Sequence, residues 1–289
     1  MSINTKLMGT AGVLAAALVA GPAAANTLAG FTTMVGASYT HTSVTGNGSI
    51  PDSNEAALGG SIAMPIEEVT GINWQLDAQY AHHWGDCGDG GSCSAEIWNF
   101  GFSPFWAGES GRIGFNVNYL TATHFGHLTS GGGFAEWYFG PVTAHVKGGW
   151  ISSGGTPIGG HGNYLGGAVT GYALPNLSIT GAFNWGDLVT GQSCSVCGRS
   201  DINERLWSAI VEFLVSERIP ISIWGSFTYG QHSVPSSVVG INDKFNSTTW
   251  MVGVRYYVGQ ATLIEQHRNG NLFGWLRGAA SVGGALTGF

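Results

Sequence analysis

From Gly71 to Ala81 apolar and polar residues alternate with a period of two. Ile72, Trp74, Leu76, Ala78 and Tyr80 fall on one side of an extended chain, and Asn73, Gln75, Asp77 and Gln79 fall on the other. That period predicts a strand. Twelve such segments follow one another, at about 31–41, 55–66, 71–84, 95–106, 111–123, 131–140, 142–153, 162–173, 176–187, 204–215, 219–231 and 247–258. Each matches or slightly exceeds the roughly 9–11 residues that a tilted strand needs to cross a bilayer core. The expected fold is an all-β, up-and-down antiparallel transmembrane β-barrel of twelve strands, with ten or fourteen as alternatives.

Alternation alone also fits a soluble sheet with one face on a core and the other in water. The links between segments separate the two. Short ones, at 66–71, 107–111, Gly140-Pro141, Leu174-Pro175 and 216–218, alternate with longer Gly-, Ser- and Asn-rich ones. Short turns at one end and long loops at the other are what an outer-membrane barrel shows, with the short turns periplasmic. The outward sets agree. Ile113, Phe115, Val117 and Tyr119 oppose Gly114, Asn116 and Asn118; Val142, Ala144, Val146 and Trp150 oppose Thr143, His145 and Lys147. Ile221, Ile223, Phe227 and Tyr229 oppose Ser222, Trp224, Ser226 and Thr228, and none of these outward sets carries a charge, as lipid demands. Trp84, Trp106, Trp150, Trp185 and Trp250 fall at segment ends, where interfacial girdles belong. In 55–66 and 162–173, rich in Gly and Ala, the faces are not assigned.

Composition points the same way. Charged residues make up 9% of the 289 residues, against about 25% in soluble domains, while there are 48 glycines and 12% aromatics. A net charge of −7 with ten Lys and Arg gives no basic footprint for nucleic acid. The first residues read as a secretory signal peptide, residues 1–25: Lys6, the apolar run A-G-V-L-A-A-A-L-V-A, then Ala23-Ala24-Ala25 before Asn26. Residues 26–259 would then form the barrel. In an exported chain four cysteines suggest disulfides. Three pairings are open, and the local ones, Cys87 with Cys93 and Cys194 with Cys197, are preferred because both segments are Gly- and Ser-rich loops. Redox or zinc chemistry at C-S-V-C is the weaker reading, since it needs an activated thiolate or a four-ligand cluster.

The stretch W-M-V-G-V-R-Y-Y-V at Trp250–Val258 resembles the closing strand of porin-like outer-membrane β-barrel proteins of Gram-negative bacteria. W-N-F-G-F-S-P-F-W and G-G-G-F-A-E-W-Y-F-G are similar to segments of such proteins too. The resemblance covers about residues 27–258 and implies an outer-membrane location, contact with outer-membrane lipid and lipopolysaccharide, and a monomer or homotrimer. Such barrels commonly end on an amphipathic strand with a terminal aromatic; here Phe289 is present, but A-S-V-G-G-A-L-T-G before it does not read as a strand. Residues 260–289 are therefore expected to form a periplasmic tail or a lumen plug.

A twelve-stranded barrel lies between those filled by side chains and the wide porins, so inward residues decide whether it conducts. Many are small: Gly36, Ser38, Gly114, Thr143, Ser222, Ser226 and Gly253. The expected lumen-lining charges are Asp77, Glu136 and Glu212 against Lys147, Arg255 and Arg112, with His145 beside them. Balanced signs argue against a strongly selective filter, which needs a ring of one sign. The function expected is passive passage of small polar solutes, without cofactor or catalytic residues; replacing Lys147 and Arg255 by Ala should shift preference toward cations. The alternative for these charges is a salt-bridge network with no transport role. Two other function classes remain: a non-conducting barrel displaying stiffened loops for adhesion, and a barrel enzyme or metal site using rim residues His82, His83, His124, His127, His161, His232, Asp86 and Glu96. No nucleophile or H-E-x-x-H motif accompanies those histidines.

Overall fold

The computed structural model describes residues 32–46, 52–65, 71–86, 92–123, 126–154, 160–190, 200–216, 220–233, 244–258 and 262–269. They form twelve strands: β1 (Thr32–Thr45), β2 (Ser53–Pro65), β3 (Ile72–Asp86), β4 (Ser92–Gly108), β5 (Gly111–Ala122) and β6 (Gly126–Phe139). β7 (Val142–Gly154), β8 (Gly160–Leu174), β9 (Leu177–Thr190), β10 (Ser200–Leu214), β11 (Ile221–Ser233) and β12 (Lys244–Val258) complete the set, followed by one short helix, α1 (Leu263–Asn269). Each strand pairs antiparallel with its sequence neighbours, and β12 pairs with β1 to close the barrel. Closure leaves no strand edge, which a bilayer requires because its core offers no water to unpaired backbone groups.

The alternation read in the sequence is the alternation between lipid face and interior. On β5, Ile113, Phe115, Val117 and Tyr119 are exposed, and Arg112, Gly114 and Asn116, which alternate with them, are buried. On β12, Val252 and Val254 point out while Arg255 and Tyr257 are buried. The register also orders the two segments whose composition hid their faces. Gly59 pairs with Gly36 and Ser61 with Asp77, so β2 turns Ala57, Gly59 and Ser61 inward and exposes Ile62. On β8, Tyr164, Ala168 and Thr170 are buried and Leu165 and Val169 exposed.

The strands are 12 to 17 residues long and run beyond the expected segments, so the loops are shorter than expected. β4 starts at Ser92, and Cys93 pairs with Gly85, where the sequence pattern suggested loop. Continued pairing satisfies backbone groups that a loop would leave to water. At the turn end, β4–β5, β6–β7 and β8–β9 are joined by two residues each: Glu109-Ser110, Gly140-Pro141 and Pro175-Asn176. Gly140 adopts φ +54°, a left-handed conformation that glycine takes without steric cost. Residues 1–25, Cys87, Cys194, Cys197 and 270–289 lie outside the described residues. So do His124 and the side chains of Asp86 and Cys93.

Candidate functional site: the barrel interior

The interior is uneven around its circumference. Along β5–β8 the inward side chains are packed: Asn116, Ser130, Phe134, Glu136, Lys147, Ile151, Tyr164 and Thr170 are all buried. Across β1–β3, β11 and β12 the mid-strand inward positions Gly36, Ser38, Gly59, Asp77, Thr228, Thr249 and Gly253 are half-exposed, while Met34, Gln75, Ser222 and Tyr257 nearer the turn end are buried. A small pocket, with room for about one water molecule, opens on that side, beside Arg255 and Trp224 and against Gly36, Ser38, Ala57 and Gly59. Small residues on neighbouring strands leave the space that bulky ones fill across the barrel.

Two charged clusters stand near the turn end. In the first, Arg112 from β5 grips Glu136 from β6, with Nε to Oε2 at 2.5 Å and Nη2 to Oε1 at 3.1 Å. His145 Nδ1 lies 3.0 Å from Glu136 Oε1, and its Nε2 continues to Thr170 Oγ1 at 3.3 Å and so to Thr180. In the second, Glu212 from β10 accepts from Arg255, from Ser222 Oγ at 2.5 Å and from Tyr257 hydroxyl at 2.6 Å. The Arg255 guanidinium lies 4.4 Å from the centre of the Trp224 ring, a cation–π contact that keeps it on the wall.

α1 joins the two. Thr262 and Glu265 cap it reciprocally: the Glu265 carboxylate accepts from Thr262 N at 3.0 Å, and Thr262 Oγ1 accepts from Glu265 N at 3.3 Å. Leu263 packs fully buried with Met34, Leu214 and Tyr257. His267 carbonyl accepts from Arg112 Nη2 at 2.6 Å, its Nδ1 meets Tyr172 hydroxyl at 3.1 Å, and its Nε2 is 3.4 Å from Glu212. Arg268 donates to Thr143 Oγ1 and to the carbonyls of Gly140 and Val142, with its guanidinium over Tyr138. The helix thus lies across the turn end of the interior.

Asp77, Glu136, His145, Lys147, Glu212 and Arg255 all face inward, but not as one array. Glu136 with His145 and Glu212 with Arg255 form separate clusters. Asp77 accepts from Gln75 Nε2 at 2.7 Å on the half-open side, and Lys147 is buried on the packed side. Sequence reasoning missed Glu204, a further inward acid on β10, buried with His232 Nδ1 at 3.6 Å. It also placed His232 on the rim. The structure buries that ring instead, stacked on Phe245 at 4.6 Å with Nε2 2.7 Å from Ser247 Oγ. His232 pairs in register with Glu204, and the inward parity of β11 carries it inside.

No family model matches the chain, and no curated protein does. Among solved structures it is similar to an outer membrane channel from Pseudomonas putida F1, at 10% identity and a TM-score of 0.52, over 80% of this chain and 96% of that one. The chain has the fold of porin-like outer-membrane barrels. The translocator domain of the autotransporter NalP from Neisseria meningitidis matches at 12% identity and a TM-score of 0.47, over 87% and 97%. The KdgM porin matches at 10% and 0.46, over 76% and 98%.

Proposed function

We propose that the protein is a passive channel of the Gram-negative outer membrane for small polar solutes, weakly ion-selective. The observation that carries this reading is the half-open polar strip along β1–β3, β11 and β12, lined by small residues and holding both Asp77 and Arg255. A closed cylinder with an apolar exterior and a polar, incompletely filled interior needs no catalytic residue to pass solutes, only a wall that sorts them by size and charge. Signs are mixed along the strip, so neither cations nor anions meet a ring of like charge. α1 narrows the turn end and sets the conductance of the resting state. The disulfides expected among the loop cysteines would stiffen the opposite mouth.

Planar-bilayer recordings of the full chain test the reading. Discrete single-channel currents are expected. Asp77→Asn should move the reversal potential under a salt gradient toward anion preference, and Arg255→Ala toward cations. Lys147→Ala should shift it less, because Lys147 is packed behind the opposite wall. Absence of current from correctly folded protein, or a reversal potential indifferent to all three substitutions, overturns it.

A further inference from the structure

On the outer wall of the barrel, beyond the channel reading and independent of it, β1 and β2 bring together a serine, a histidine and an asparagine. His41 and Ser43 are two residues apart on β1 and so share a face. That face is the outer one, since Thr40 and Thr42 point inward, Thr42 to meet Thr249 at 3.0 Å. Ser43 Oγ lies 3.2 Å from His41 Nε2. His41 Nδ1 lies 3.0 Å from Oδ1 of Asn54, its direct register partner on β2. The same Oδ1 accepts from Tyr39 hydroxyl at 2.7 Å.

These contacts fix the protons. Tyr39 and His41 both approach the amide oxygen, so Asn54 presents an acceptor to the ring and Nδ1 carries the hydrogen. Nε2 is then the basic nitrogen, aimed at the serine hydroxyl, which is the tautomer a general base needs. Asp52 Oδ2, also 3.2 Å from Ser43 Oγ, is a second acceptor for that hydroxyl. Only His41 is itself oriented by a third group, Asn54, the arrangement a serine's general base needs, so proton abstraction falls to His41.

Depth in the membrane supplies the substrate. His41 stands opposite Trp250, and Tyr39 packs near Trp84 at 6.2 Å between ring centres. Below them on the outer face, Val252 and Val254 are exposed. Tyr and Trp at the edge of an apolar band mark the headgroup level. Ser43 lies two residues further toward the long-loop end, on the headgroup side of that level, so a lipid rises slightly to bring an ester carbonyl to the hydroxyl. We propose that this site hydrolyses acyl esters of membrane lipids, with Ser43 as nucleophile, His41 as general base and Asn54 as a positioning residue. Ser43 Oγ bonds to the acyl carbon as its proton passes to Nε2. The carbon–oxygen ester bond breaks and the leaving alkoxide takes that proton. Water, deprotonated by His41, then attacks the acyl-enzyme; the proton returns to Ser43 and a free fatty acid departs.

The test uses full-length protein in detergent micelles. Fatty-acid release is measured from vesicles of phosphatidylethanolamine and phosphatidylglycerol, and separately from lipopolysaccharide; release from either supports the site and tells the two sources apart. A fluorophosphonate probe should label Ser43. Ser43→Ala should abolish labelling and lower release by at least about 10³-fold, with heat-modifiable gel migration unchanged. Asn54→Ala should lower kcat by roughly tenfold or more with KM retained, and Asn54→Asp should restore it. Equal release from wild type and Ser43→Ala, or a label on Ser247 instead, overturns the proposal. Conductance of Ser43→Ala is expected to match wild type, so failure here is distinguishable from failure of the channel reading.

Discussion

Two buried glutamates on one strand show how the surroundings of a side chain decide its energetic role. Glu212 is surrounded by donors from Arg255, Ser222 and Tyr257, and removing the cation would strand its charge. Arg255→Met is therefore expected to destabilise the barrel by about 3–5 kcal/mol, read from urea titration of tryptophan fluorescence in lipid vesicles. Glu204, eight residues earlier on the same face, has His232 Nδ1 at 3.6 Å and no hydrogen-bond partner among the described residues. Glu204→Gln should cost less than about 1 kcal/mol in the same titration, because the amide keeps the shape and its one charged neighbour, His232, stands beyond hydrogen-bond distance. A loss as large as that of Arg255→Met would show that Glu204 is held by a charge it depends on. Glu212 was legible in the sequence because it stands between apolar Val211 and Phe213, whereas Glu204 was not, because both its neighbours, Asn203 and Arg205, are polar and mark no lipid face. His41 and Ser43 share a face only because β1 runs on to Thr45, past the end expected at 41, and the approach of Asn54 needs the β1–β2 register, which composition does not specify.

Among the elements, the strands were the most legible and the helix the least. A period of two recurring twelve times survives errors of several residues at each end, and the register then follows from keeping apolar flanks on lipid. α1 is only seven residues long, too short for a 3.6-residue period to stand out; its one sequence signal is the capping pair Thr262 and Glu265. Its position comes from side chains distant in sequence, Arg112, Tyr172 and Glu212, which no local pattern connects. Because His267 and Arg268 make most of its polar contacts, the double variant His267→Ala/Arg268→Ala should loosen the helix without touching a strand. Larger and noisier single-channel currents are expected in planar bilayers. Currents identical to wild type would mean that the helix does not obstruct the path.

For the whole molecule the governing choice is which face meets lipid, and the tryptophans report on it from opposite sides of the wall. Trp98, Trp106, Trp137, Trp150, Trp207 and Trp250 are exposed on the outer surface, Trp106 and Trp137 close to the turn end, whereas Trp224 is buried inside, under the Arg255 guanidinium. A bromine on an acyl chain quenches an indole only on close approach, so lipids brominated along their chains should quench most of the emission of the vesicle-inserted protein. Replacing Trp224 by Phe should leave the quenchable intensity unchanged, since the barrel wall separates that ring from lipid. Replacing Trp106 and Trp137 by Phe should reduce it, and bromines placed nearer the headgroups should act more strongly on the remaining rim tryptophans than bromines at the bilayer centre. Emission insensitive to brominated lipid would place the apolar faces against protein or water instead, and the channel and the lipid-facing hydrolase site would both lose their membrane setting.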